Sequence, residues 1–147
     1  MTRLDGRAAA MTVSFAQVLF LAVPFRYGHN MKLVEIRTYK LKAGCAENFI
    51  AAFRRALPLV RASGMDVVAF GRSDHERESF YLIRAYDDRA QLEAQQDAFY
   101  SSDVWRNGPR QALLDCLEDY LNTLVWLSAR SVEDLRANNG LAALAAA

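Results

Sequence analysis

From Met31 the chain alternates: Val34, Ile36 and Thr38 fall on one face and Glu35, Arg37 and Tyr39 on the other, the period of a half-buried strand. After the turn signal Lys42-Ala43-Gly44 the period changes. Phe49, Ile50, Phe53, Leu57 and Val60 recur at helical spacing and predict an amphipathic helix that ends at Ser63-Gly64. Pro58 removes one backbone donor inside it, so a kink or an early end is expected there. Two β-rich runs follow, MDVVAFG at 65–71 and SFYLIRAY at 79–86, and a polar stretch joins them as a hairpin with a long loop. In the second run Phe80, Leu82, Arg84 and Tyr86 share one face, opposite Tyr81, Ile83 and Ala85.

Further on, Asp87-Asp88 predicts the cap of a helix over 89–100, and Ser102 the cap of a short helical turn. Asn107-Gly108 stops that turn and Pro109 opens another helix. Phe99, Trp105 and Leu113 are expected to point inward across this corner. YLNTLVWL at 120–127 reads as a fourth strand, and Ser131 as the cap of a last helix that stops at Asn139-Gly140 before a frayed tail.

The order β-α-β-β-α-β, with an extra helix before the last strand, predicts an α+β fold: a ferredoxin-like four-stranded antiparallel sheet with helices on one face. On these strand phases the face away from the helices carries Glu35, Arg37, Phe70, Phe80, Leu82, Arg84, Tyr86 and Trp126. So large a mixed face should not stay open to water. A second copy pairing sheet to sheet about a two-fold axis would bury it and leave a cavity, which makes a homodimer through the sheet face the expected assembly.

Composition changes this picture little. The 147 residues fit one domain, and a net charge of +1 gives no footprint for nucleic acid or acidic lipid. Cys45 and Cys116 stand at neither metal-ligand nor redox-motif spacing and read as free thiols in a reducing compartment, which points to the cytoplasm. Residues 1–30 differ from the rest: Arg3 and Arg7 precede an apolar run from Ala8 to Phe25. That layout fits an over-extended start upstream of Met31 or a disordered extension, a targeting segment, or an added helix. The run is marginal for a bilayer, and no membrane span is expected. The chain therefore divides into an extension (1–30), the α+β domain (31–128) and a C-terminal helix with its tail (129–147).

Glu35, Arg37 and Arg84, with Tyr39 and Tyr86, form the best constellation of chemistry-bearing residues, because alternation puts them on one sheet face. Either the charges satisfy one another structurally, or one arginine is left to bind a carboxylate or polarise a carbonyl while Tyr39 or Tyr86 donates to an enolate-like oxygen. Phe70, Phe80 and Trp105 would give such a ligand site its apolar walls. His75 stands in the polar loop RSDHERE, where a histidine is usually just solvated, and no other ligand lies at metal spacing from it. Cys45, near a helix N-terminus, has some scope for a lowered thiol pKa. No phosphate-binding loop, nucleophile motif or dinucleotide fingerprint occurs, and no cofactor is implied.

Taken together, VEIRTYKLKAG at 34–44, DVVAFG at 66–71, FYLIRAY at 80–86 and QQDAFYSSDVWRNGPR at 95–110 resemble the NIPSNAP family, in order and with family-like spacing from Met31 to Trp126. The resemblance implies a dimeric α+β barrel, in a superfamily that holds cofactor-free monooxygenases, isomerases, haem-binding enzymes and plain binding proteins. It implies a homodimeric barrel protein that binds a small organic molecule or a protein partner. The alternative is a cofactor-independent monooxygenase or isomerase acting on a small enolisable or aromatic substrate, with Arg37, Arg84, Tyr86 and His75 as catalytic candidates. Cys45 departs from the pattern, standing where a capping Ser, Thr or Asp would be usual.

Overall fold

The computed structural model describes residues 30–139; the readings placed on residues 1–29 and 140–147 lie outside them. In chain order the elements are β1 (Met31–Leu41), α1 (Ala46–Ala62), β2 (Asp66–Arg72), β3 (Ser79–Tyr86), α2 (Arg89–Ser101), α3 (Asp103–Arg106), α4 (Arg110–Cys116), β4 (Leu117–Ser128) and α5 (Ala129–Asn138). The strands form one antiparallel sheet in the order β2-β3-β1-β4. This is the split β-α-β connectivity expected from the sequence, with β1 and β3 central. Among the described residues no helix is long and apolar enough to cross a membrane.

Local signals act largely as expected. Asp88 accepts from the Gln91 N–H and caps α2, and Ser102 caps α3 by accepting from the Trp105 N–H at 3.3 Å. Three details differ. Helix α1 continues past Pro58 to Ala62, because tertiary packing of its apolar face outweighs one missing donor. The last helix is capped by Ser128, whose hydroxyl accepts from the Ser131 N–H at 3.0 Å, so it begins before Ser131. Strand β4 starts at Leu117 rather than Tyr120.

Cys45 makes no side-chain cap at the start of α1. A carboxylate from the β2–β3 loop replaces it: Glu78 Oε2 accepts from the Cys45 and Ala46 N–H groups at 3.0 and 3.2 Å. The substitute satisfies two orphan donors and sets a negative charge against the positive end of the helix.

Two hydrophobic clusters sandwich the sheet. On the α1–α2 side, Phe49 and Phe53 of α1 pack on Phe80 of β3 with ring centroids 5.3 and 4.8 Å apart, and Phe53 meets Phe70 of β2 at 5.1 Å. Each fully buried phenyl of this kind stabilises the fold by roughly 1.5–3 kcal/mol. Phe99 is buried, with Trp105 and Leu113 packed half-buried against the same cluster. Phe99 and Trp105 meet with tilted rings 5.2 Å apart, so the corner after α2 closes the core as its sequence predicts.

The opposite face carries a smaller set, Val34, Val68, Ala69, Ile83 and Ala85, covered in part by Val132 and Leu135 of α5. Arg136 fastens that helix to the edge strand, donating to the Val67 carbonyl at 3.1 Å and to Asp66 at 2.9 Å.

This arrangement corrects the expected facing of the strands. Glu35, Arg37, Phe70, Phe80, Leu82, Arg84, Tyr86 and Trp126 lie on the helix-covered face, not on an open one, and the set of small apolar residues faces the other way with α5 on it. Alternation separates the two sets without saying which one a helix covers. The charged set can lie inside because Glu35 pairs with both arginines there.

Candidate binding site between sheet and helices

At the centre of the helix-covered face Glu35 and Arg84 are register partners on β1 and β3, 2% and 1% exposed. Arg84 Nε donates to Glu35 Oε2 at 2.9 Å. Its Nη2 lies 2.6 Å from the same oxygen, off line for a hydrogen bond, so that contact is ionic. Gln96 Nε2 on α2 donates to Glu35 Oε2 at 3.0 Å and Arg37 Nη2 to Glu35 Oε1 at 3.1 Å. The carboxylate is thereby saturated and has no role left as a base.

Above the pair sits the hydroxyl of Tyr100, at the end of α2, which accepts from Arg84 Nη1 at 3.0 Å and from Arg37 Nη1 at 3.2 Å. Arg37 also donates from Nε to Asn122 Oδ1 at 2.7 Å and lies 5.0 Å above the Tyr120 ring, a cation–π contact from β4. Burial pushes the Tyr39 hydroxyl up to about 12; the charges of Arg37 and Arg84 oppose that rise and Tyr100 adds to it. Burial works against the charge of Arg84, but Tyr100 and Glu35 beside it prevail and hold the guanidinium above its usual value.

These groups form the polar end of a cavity of about 430 Å³ between the sheet and α1, α2, α3 and α4. Phe49, Phe53, Phe99, Trp105 and Leu113 wall it, and the exposed Arg110 and Tyr120 also line it. The size and the mixture of apolar walls with a few convergent polar groups are those of a small-molecule site. A larger hollow of about 550 Å³ runs along α5 on the opposite face, but it is a shallow groove lined by Tyr81, Ile83, Asp134 and Leu135 without any cation.

Of the residues expected in a site, Arg37, Tyr39, Arg84 and Trp105 line the cavity. Glu35 stands directly behind the arginines. Tyr86 is one step removed, accepting from Gln96 at 3.1 Å and donating to Met65 Sδ at 3.7 Å; burial raises its hydroxyl against the pull of Arg84. Phe70 and Phe80 belong to the aromatic core and border a separate groove. His75 is exposed in the β2–β3 loop, its Nδ1 2.6 Å from Ser73 Oγ, and joins none of these groups. Among the described residues no cluster of His, Cys, Asp and Glu is arranged to hold a metal.

Sequence reading missed Gln96, Tyr100, Arg110 and Tyr120. Tyr100 follows Phe99 and reads as part of the corner, yet helical geometry turns adjacent residues about 100° apart, so one fills the core while the other reaches the charged pair.

No curated protein matches the chain. Solved structures do. An uncharacterized NIPSNAP domain protein from Burkholderia xenovorans is 22% identical, with a TM-score of 0.58, over 63% of this chain and 91% of its own. A NIPSNAP family protein of unknown function from Agrobacterium tumefaciens superposes with a TM-score of 0.64 at 16% identity, over 69% of this chain and 92% of its own. PA3566 from Pseudomonas aeruginosa gives 0.53 at 19% identity, over 68% and 97% of the two chains. At such identities these likenesses show the shared fold. The sequence model of the NIPSNAP family matches residues 34–125, from the first strand through the last, and the chain belongs to that family.

Proposed function

We propose that the protein binds a small organic molecule in the cavity between its sheet and helices. The observation that carries this reading is the cavity itself, about 430 Å³ of space with aromatic and aliphatic walls closing on the buried guanidinium of Arg84 and the half-buried one of Arg37. We further propose that it acts as a homodimer paired through the face away from α1 and α2. On that face Leu121, the register partner of Thr38, is 70% exposed, and Tyr81 is only half-buried. The free thiols Cys45 and Cys116 suit a reducing compartment such as the cytoplasm.

A second reading, cofactor-independent isomerisation or oxygenation of an enolisable or aromatic substrate, is favoured by one observation. The Tyr100 hydroxyl lies beside two guanidinium groups, where a developing enolate oxygen would find both a donor and positive charge.

Native mass spectrometry of protein purified from its own host tests the proposal. A dimer that carries a reproducible small molecule is the expected result. An empty protein counts against the binding reading and moves the weight to contact with a protein partner; a monomer mass counts against the pairing.

A further inference from the structure

We infer that the cavity takes an organic monocarboxylate with an apolar body, its headgroup held between an N–H of Arg37 and the hydroxyl of Tyr100. This deepens the binding reading and rests on it.

Charge is the first argument. Arg37, Arg84 and Arg110 line the cavity, and none of its lining residues is acidic; Glu35 lies behind and offsets one of the charges of Arg37 and Arg84. A half-enclosed surplus of positive charge favours an anionic occupant.

Donor bookkeeping then singles out which groups are left for it. The Nε–H and Nη2 of Arg84 are turned to Glu35, and its Nη1 donates to Tyr100 and, at 3.3 Å, to Met65 Sδ. The ion pair with Glu35 holds that guanidinium in place, although Nη2 has no hydrogen-bond partner. A guanidinium has five N–H groups. Arg37 commits three of them, to Asn122, Tyr100 and Glu35, which leaves two, one of them on Nη1. Both N–H groups of Gln96 are taken, by Glu35 and Tyr86.

Tyr100 is the complementary case. Its oxygen accepts from both arginines, and its own proton has no acceptor among the described residues. A hydroxyl that already accepts from two cations offers its proton as a strong donor. The spare N–H on Arg37 Nη1 and this O–H are neighbours, because Nη1 and the Tyr100 oxygen are 3.2 Å apart. Two adjacent donors match the two oxygens of one carboxylate. Beyond them Phe99 and Trp105, with ring centroids 5.2 Å apart and planes tilted by 44°, give an aromatic wall for an apolar body.

The test is calorimetric titration of the purified protein with 1-naphthoate and with neutral 1-naphthamide, which share one ring system. The acid is expected to bind at least about tenfold tighter, the worth of a hydrogen bond to a charged group. Tyr100→Phe should remove most of that preference while leaving affinity for the amide unchanged. Arg37→Met should remove it as well, and the two variants check each other if either folds poorly. Equal binding of acid and amide by the wild-type protein, or a full preference retained in Tyr100→Phe, overturns the inference and leaves the cavity as a binding site. Failure of both probes, together with the absence of any retained molecule from the host, overturns the underlying reading too.

Discussion

Glu35 and Arg84 face each other across β1 and β3 as direct register partners, buried under helices, with the ion pair closing to 2.6 Å. Their isolation from water makes the pair sensitive to the loss of one member far more than to the loss of both. Glu35→Ala leaves Arg37 and Arg84 side by side without a counter-charge and should cost about 3–5 kcal/mol in urea unfolding. In the Glu35→Gln background Arg84→Met should cost less than it does alone, a coupling that a double-mutant cycle reads directly. Strict additivity would mean that the carboxylate and the guanidinium are not energetically paired.

Tyr39 gives the fold an alkaline limit. Burial pushes its hydroxyl up to about 12 from a usual value of 10.0, so between those values the folded protein holds a proton that the unfolded chain has released. Stability must therefore fall as pH rises through this window, and the contribution is fully present below it. Chemical denaturation at a series of alkaline pH values should show the slope, and Tyr39→Phe should flatten it. A slope unchanged in Tyr39→Phe would assign the alkaline loss to other groups.

Gly108, which follows α3, is a steric requirement. A Cβ there would stand 2.3 Å from the Val104 carbonyl oxygen, and that contact is with backbone, which cannot swing aside as a side chain does. Gly108→Ala should push α3 outward, taking Trp105 off Phe99, at a cost of roughly 1–3 kcal/mol. Melting temperature and the near-ultraviolet circular dichroism of Trp105, read in a Trp126→Phe background, should change together. A drop in stability with the Trp105 signal intact would place the strain elsewhere.

Much of the fold is legible in the chain because its signals are local. The switch from period two to helical spacing after Leu41, the Asp88 and Ser102 caps and the inward Phe99 each depend on a few neighbouring residues. The facing of the sheet is not legible in this way. Val34 and Ile36 look like core and Glu35 and Arg37 like surface, but a helix from residues 129–138 covers the first set and ion pairing lets the second go inside. The cap of α1 is hidden for a similar reason, since Glu78 lies far from Cys45 in sequence. Within the site Arg37, Tyr39 and Arg84 could be found by alternation along strands; Gln96 and Tyr100 could not, because they reach the same point from another element.

The topology also sets an order in time. Strand β1 comes first among the described elements, yet β4 covers one whole edge of it, from Met31 against Ser128 to Leu41 against Leu117. During synthesis β1 must wait for nearly all the intervening chain to leave the ribosome, with a row of its backbone donors and acceptors unpaired. Such distant pairing makes the last step of folding a slow one. The cavity wall is then complete only once β4 is in place, because Leu117 and Tyr120 belong to it. The interval before release is when this sequence is most open to mispairing with a neighbouring nascent copy.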